Sequence, residues 1–304
     1  MWDQRSAYYL FHMPAFVFLA GVTINTKDKS QGSFLTNSDN LVIPLVIMVF
    51  AYEAFHLALY QKPSVYLQNA APYWHLWFLL SLIIWKYFLP VIVKFQNRVT
   101  ISIVIALMIG LSAHFGYFLN ISRTLYFLPF FLLGVAISPP SLLEQLKRIP
   151  VNLALIFVSL AICVSWIYSA DIPIKALYGS TPYAALRLDP LDGILLGAGL
   201  KFGSFVLFMC LFRVLQSVPN YQTLIRAGRN CFIVYLFHAF FVKLIDFYVY
   251  PYIDELSSHL LLLFTIVVSI VLSIFLSQDK FKDKFFNHFV TPLSHYLLRP
   301  RWGK

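Results

Sequence analysis

Residues 8–21 read YYLFHMPAFVFLAG, in which every side chain but the imidazole of His12 suits a lipid interior. A helix of that length reaches only about 21 Å, short of the ~30 Å hydrocarbon layer of a bilayer. The apolar text continues to about residue 24, however, and similar runs recur along the chain. We place spans at about 7–24, 41–60, 73–93, 101–118, 121–137, 151–169, 193–216, 231–250 and 258–277. Runs near twenty residues, without ten-residue alternation, indicate helices and exclude a β-barrel. The sequence predicts an all-α polytopic membrane bundle of about nine transmembrane helices.

Composition agrees. Of 304 residues, 60% are hydrophobic and 12% charged, against about 25% charged in a soluble domain, and the mean hydropathy is +0.74. Cys163, Cys210 and Cys231 lie in or beside apolar runs, so no disulfide framework is implied. Residues 1–24 lack a basic leading region and a small-residue cleavage site, so they do not read as a cleaved signal peptide. No repeat or second domain interrupts the chain. We read 1–278 as the helix bundle and 279–304 as a basic cytoplasmic tail.

Lysine and arginine set the orientation. The tail carries Lys280, Lys282, Lys284, Arg299, Arg301 and Lys304, which puts the C-terminus in the cytoplasm. Counting back, the inner loops also hold Lys27, Lys29, Lys94, Arg98, Lys147, Arg148, Arg213, Arg226 and Arg229. The outer segments hold only Arg5, Lys62, Arg123, Lys175 and Arg187, five against fifteen. The net charge of +10 is therefore topology, and nucleic acid is not expected as a partner. Nine spans put the N-terminus outside with no preceding helix, for which a lost first helix is the simplest account.

Polar residues inside spans are costly and face a packed interior or a wet cavity. Toward the outer side the sequence places His12, Glu53, His56, His75, His114, Lys201 and Asp246, joined by Arg123, Arg187, Asp189 and Asp192. This mixed set suits acid–base chemistry or sugar binding. Toward the inner side lie Lys86, Arg226, Arg229 and His238, a cationic set that suits a phosphate-bearing ligand. Tyr73, Trp74, His75 and Trp77 read first as interfacial anchors, His114 likewise. Glu53 and His56, three apart, share a helix face. One such pair does not make a metal site. Lys201 sits in GILLGAGLKFGSF, where Gly193, Gly197, Gly199 and Gly203 let helices approach closely. It is expected to point into a packed interior and to need a partner such as Glu53 or Asp246. Pro14 suits the first turn of a helix, so HMP reads as a helix start with His12 about one turn below the surface. There a histidine is a natural general base.

Four stretches together resemble the membrane-bound acyltransferase-3 family, especially its fucose 4-O-acetylase-like branch. FHMPAFVFLAG (residues 11–21) is similar to the family's second-helix motif, with Ala20-Gly21 where Ser-Gly is common. YWHLWFLLSL (73–82) resembles its aromatic segment, LYFLPFFLLGV (125–135) its Pro-Phe-Phe-x-x-Gly helix, and GRNCFIVYLFHAFFV (228–242) its late helix with Tyr-Leu-x-His. The resemblance implies ten helices, and a first helix bearing an arginine and a histidine that this chain lacks. It also implies acyl transfer, usually of acetyl, from cytoplasmic acetyl-CoA to a hydroxyl of an extracytoplasmic carbohydrate.

The expected protein is thus a multi-pass O-acyltransferase of the cell membrane, bacterial and cytoplasmic, with acyl-CoA as donor substrate, a glycan acceptor, lipid neighbours, and no bound cofactor or metal. His12, Glu53 and His56 are its catalytic candidates. Trp77, Arg123, Arg187, Lys201 and Asp246 are the acceptor-binding candidates. Lys86, Arg226, Arg229 and His238 are the candidates for acyl-CoA. The alternatives are a transporter of a polar or anionic small molecule, for which the paired discontinuous helices and repeats of that class are missing, and an inactive truncated homologue. Without its first helix the 304-residue form is expected to be inactive.

Overall fold

A computed structural model describes residues 6–24, 41–112, 118–167, 174–219, 222–253 and 258–298. His114 and the basic residues Arg5, Lys27, Lys29, Arg299, Arg301 and Lys304 lie outside them. The described residues are helical and hold no strand. In order the principal helices are α1 (Ser6–Val22), α2 (Ile43–Tyr60), α3 (Trp77–Ile92), α4 (Arg98–Met108), α5 (Ile121–Val135), α6 (Pro139–Lys147) and α7 (Val151–Ile167). There follow α8 (Pro190–Gln216), α9 (Gln222–Arg229), α10 (Cys231–Leu244), α11 (Ser258–Leu276), α12 (Asp279–Phe285) and α13 (Thr291–Leu298).

Helix stands in each of the nine apolar stretches. Four are long and apolar enough to cross a membrane: Ile43–Tyr60, Trp74–Ile92, Pro190–Gln216 and Cys231–Ile253. The number rises to six if each of two bent pairs, Ile121–Val135 with Pro139–Lys147 and Leu263–Leu276 with Asp279–Leu297, is one span. Three shorter apolar helices are Leu10–Val22, Arg98–Leu111 and Val151–Val164.

The helices divide into two compact units. The first comprises Met1–Ser30, Asn69–Ala71 and Ser81–Pro219. Its centre is α5, buried from Ser122 to Leu132 except at Leu125, and again at Gly134, as a helix apolar on nearly all sides must be. α1 lies against it where Gly21 meets Gly134. A methyl group on Gly21 would run into the Phe131 carbonyl, and one on Gly134 into that of Phe18. On α1, Phe18 is wholly buried among Phe205, Phe208 and Phe212 of α8. On α3, Trp85 stacks on Phe131 and donates its indole N–H to the Thr124 carbonyl at 3.0 Å. Ser81 meets the Thr124 hydroxyl at 2.6 Å.

Three expectations change here. Pro14 is not in the first turn of α1 but in its interior. It removes an N–H there and leaves the Leu10 carbonyl without its usual intrahelical donor. The glycines around Lys201 do not all serve close helix approach. Gly193 and Gly197 seat the ring of Tyr183, whose hydroxyl donates to the Leu107 carbonyl at 3.1 Å, whereas nothing lies within 4 Å of where a methyl on Gly199 or Gly203 would sit. The burial that holds Tyr183 there also raises its phenol above the ordinary value of 10.0. Finally, Lys201 does point inward, only 8% exposed, but its ammonium rests 3.5 Å from the ring centre of Tyr126 and makes no hydrogen bond. The contact that Lys201 makes is thus an aromatic face of its own unit, while in the second unit Asp246 pairs with Lys243 at 3.5 Å and Glu53 accepts from Ser64. A cation on an aromatic face, shielded from water, gains about 2 kcal/mol or more.

The second unit comprises Gln31–Gln68, Pro72–Leu80 and Asn220–Lys304. α2 and α10 are joined by Tyr52, fully buried, whose hydroxyl donates to the Leu236 carbonyl at 2.7 Å. The Tyr52 ring is stacked between Phe240 (3.9 Å) and Tyr73 (5.1 Å). After α11 the chain turns sharply at Ser277 and Gln278. Asn230, 1% exposed, bridges the turn by donating 2.7 Å hydrogen bonds to the Ser277 carbonyl and the Asp279 carboxylate.

Candidate functional site

The second unit concentrates histidine and tyrosine. Tyr235 and His238 are three apart on α10, so both project from one face of the helix. Tyr235 reaches across to α3's leading turn, its hydroxyl donating to the His75 carbonyl at 2.7 Å. That bond brings the rings of His75 and His238 to 4.9 Å, centre to centre. Tyr52 and Tyr235 stand edge-on to His75 at 5.0 and 5.2 Å, with Trp74 alongside.

Hydrogen bonding distinguishes the two imidazoles. Nδ1 of His238 lies 2.8 Å from the Tyr235 carbonyl and 3.1 Å from that of Val234. Carbonyl oxygens only accept, so Nδ1 carries the hydrogen. In the neutral ring Nε2 then keeps a lone pair and accepts protons. His75 has the opposite character: both ring nitrogens are shielded from solvent, and the backbone of Leu236 lies near enough to interact with the ring, short of full hydrogen-bond geometry. A buried imidazole held this loosely costs about 1–3 kcal/mol, which a water, an ion, local strain or a catalytic role would account for.

Beside this pair, Nδ1 of His56 sits 3.2 Å from the Tyr73 hydroxyl. Glu53 accepts from the backbone N–H and the hydroxyl of Ser64, both at 2.8 Å, which fastens the end of α2 to the turn Val65–Gln68. Among the described residues no group of three histidine, cysteine, aspartate or glutamate side chains is arranged to hold a metal.

A family model described as an acyltransferase domain matches residues 2–278. The chain belongs to the acyltransferase-3 family. No curated protein and no solved structure matches it.

Within this acyltransferase the candidate residues fall into both units. His12, Lys86, Arg123, Arg187 and Lys201 belong to the first unit; Glu53, His56, Trp77, Arg226, Arg229, His238 and Asp246 belong to the second. His12 is exposed, with its ring 4.9 Å from Phe16. Arg123 is buried and donates to Ser180 at 3.3 Å; Arg187 is exposed on a left-handed turn, and Lys86 is half-buried. Trp77 is buried, while Arg226 and Arg229 are exposed on α9.

The sequence placed His75 and His238 toward opposite faces of the membrane, and in the structure they touch. His238 stands two turns into α10, so its depth is intermediate, and the Tyr235 hydroxyl draws the start of α3 onto it. Sequence reasoning took His75 for an interfacial anchor and did not select Tyr52, Tyr73 or Tyr235. Only the three-residue spacing of Tyr235 and His238 was visible as a signal.

Proposed function

We propose that this protein is an O-acyltransferase carrying an acyl group, most simply acetyl, from cytoplasmic acyl-CoA to a hydroxyl of a carbohydrate beyond the bacterial cytoplasmic membrane. Nine spans and a cytoplasmic C-terminus belong to this reading, supported by fifteen inner against five outer lysines and arginines. The chemistry rests on one observation, the lone pair left on Nε2 of His238 when Nδ1 is tied to its own helix.

The acceptor oxygen attacks the thioester carbonyl carbon while its proton passes to Nε2 of His238. The carbon–sulfur bond breaks with its electron pair on sulfur. The proton then moves from His238 to the thiolate, leaving the ester and the free thiol. General-base help of this kind is worth about 10²–10⁴ in rate. A ring N–H of His75 supplies a donor to the oxyanion of the tetrahedral intermediate. Glu53 and His56 serve on the acceptor side. In the second unit Trp77 and Asp246 contact the acceptor, and Arg226 and Arg229 the donor phosphates.

The test is transfer of radiolabelled acetyl from acetyl-CoA to envelope glycan by proteoliposomes of the 304-residue protein. The His238→Gln variant should be slower by at least ~100-fold at equal insertion. A rate within twofold of the parent would remove His238 from the mechanism, and no transfer by the parent to any envelope glycan would leave the 304-residue form inactive, as its sequence predicts.

A further inference from the structure

The family match ends at residue 278, where the chain bends. Helix 279–297 runs at 61° to Leu263–Leu276. The bend is built rather than slack. Asn230 bonds to both sides of it, and Phe275 meets Phe281 across it at 4.8 Å. One face of the new helix is anchored on α10, through Phe285 to Phe237 (5.3 Å) and Phe286 to Phe232 (6.5 Å).

The remaining surface has two different parts. The first two turns expose Lys280, Lys282 and Lys284 beside Asp279 and Asp283. The Asp279 carboxylate is occupied by Asn230, so lysine dominates the charge offered to a partner. Further along, Phe289 and Tyr296 are exposed (59% and 80%). With His288, Pro292, Leu293 and, from α2, Ile47, they line an open groove of about 380 Å³. His288 bonds through Nδ1 to the Lys284 carbonyl, which leaves its other nitrogen outward. Five charges in six residues cannot lie in hydrocarbon. An apolar groove following such a turn belongs at the boundary of headgroups and acyl chains.

We propose that residues 279–298 form a surface-lying helix whose groove, with Ile47, binds one anionic phospholipid. The acyl chain lies between Ile47, Phe289, Leu293 and Tyr296. The phosphate is held by Lys284, one turn before His288 on the same face, and by the His288 ring, with Lys280 and Lys282 adding positive charge to the approach. Charge complementarity selects an anionic lipid over a zwitterionic one. This inference stands independently of the acyl-transfer reading.

The test uses the full chain in nanodiscs containing a trace of phosphatidylglycerol with a diazirine at the end of one acyl chain. Photolysis and peptide mapping should find adducts on the peptides carrying Ile47 and Phe289–Tyr296. Excess unlabelled phosphatidylglycerol should compete, and phosphatidylcholine should not. The triple variant Lys280→Gln, Lys282→Gln, Lys284→Gln should lower those adducts at least threefold. If it inserts poorly, Lys284→Gln alone with the competition series reads the same preference. Equal labelling by phosphatidylcholine and phosphatidylglycerol probes would overturn the proposal, reducing the groove to surface bathed in bulk lipid. Cross-links between two copies of peptide 286–298 in place of lipid adducts would overturn it in favour of self-association.

Discussion

Phe18 in the first unit and Tyr52 in the second are both wholly buried and both enclosed by aromatic rings. Around Phe18 the neighbours are Phe205, Phe208 and Phe212, which offer nothing but surface. Around Tyr52 they are Tyr73, Phe240 and His75, and its hydroxyl is spent on a neighbouring helix's backbone. The first unit thus holds its helices by fitting rings and glycines together. Hydroxyls fix backbone positions in both units, as Tyr183 does in the first, but in the second they stand beside histidines and so present imidazoles in defined orientations. Aromatic content alone does not tell a scaffold from a reactive centre; where the ring heteroatoms point does.

That contrast breaks most visibly at His238. His238→Ala should lower kcat/KM for acyl transfer by roughly 10²–10⁴ while leaving the thermal midpoint of the detergent-solubilised protein nearly unchanged. A large loss of midpoint would mean that the second unit uses the ring for packing, as the first unit uses Phe18. In the first unit the strongest effect should be on stability. Gly134→Ala forces α1 from α5 and should cost on the order of 1–3 kcal/mol, read as a lower midpoint with kcat per folded molecule retained. Lys201→Met probes the first unit's exception, a buried ammonium. A contact with the acceptor predicts a several-fold rise in the acceptor KM with little change in the midpoint, because the lost ring contact and the relieved desolvation of a buried charge oppose each other. An unchanged KM would leave the first unit wholly a scaffold.

The smallest effect concerns the bend. Hydrogen bonding from Asn230, aided by Arg226, Arg229 and Lys282, holds the Asp279 carboxyl below its ordinary 3.8. A folded value lowered in this way stabilises the docked helix above the unfolded value, and the contribution is lost as pH falls through the folded one. Protease cleavage within 279–298 should therefore speed up slightly below about pH 4, and Asp279→Asn should abolish that dependence.

Membrane helices, their approximate limits and the family were legible because they depend on composition and on short local patterns. Lys201 was legible as an inward residue from its small neighbours, but not its partner, since an aromatic face two helices away leaves no trace in local text. The His75–His238 pair escaped for a similar reason. Its formation depends on the Tyr235 hydroxyl reaching a carbonyl 160 residues earlier in the chain. The tautomer of His238 follows from its distances to two carbonyls, which spacing alone does not give. Pro14 misled because a residue tolerated in a first turn is also tolerated mid-helix when neighbouring helices enclose it.

The contact between Gly21 and Gly134 also bears on how the protein is made. α1 is threaded early, yet the helix whose backbone it must touch is synthesised more than a hundred residues later. At about 5–20 residues per second, that is a wait of roughly 5–20 s. During this time the close face of α1, with Gly21 in its last turn, lacks the helix it packs against and is open to lipid or the insertion machinery. A nascent chain stalled before Val135 should accordingly leave α1 accessible to cross-linking by the insertion machinery, and one released after α5 should not.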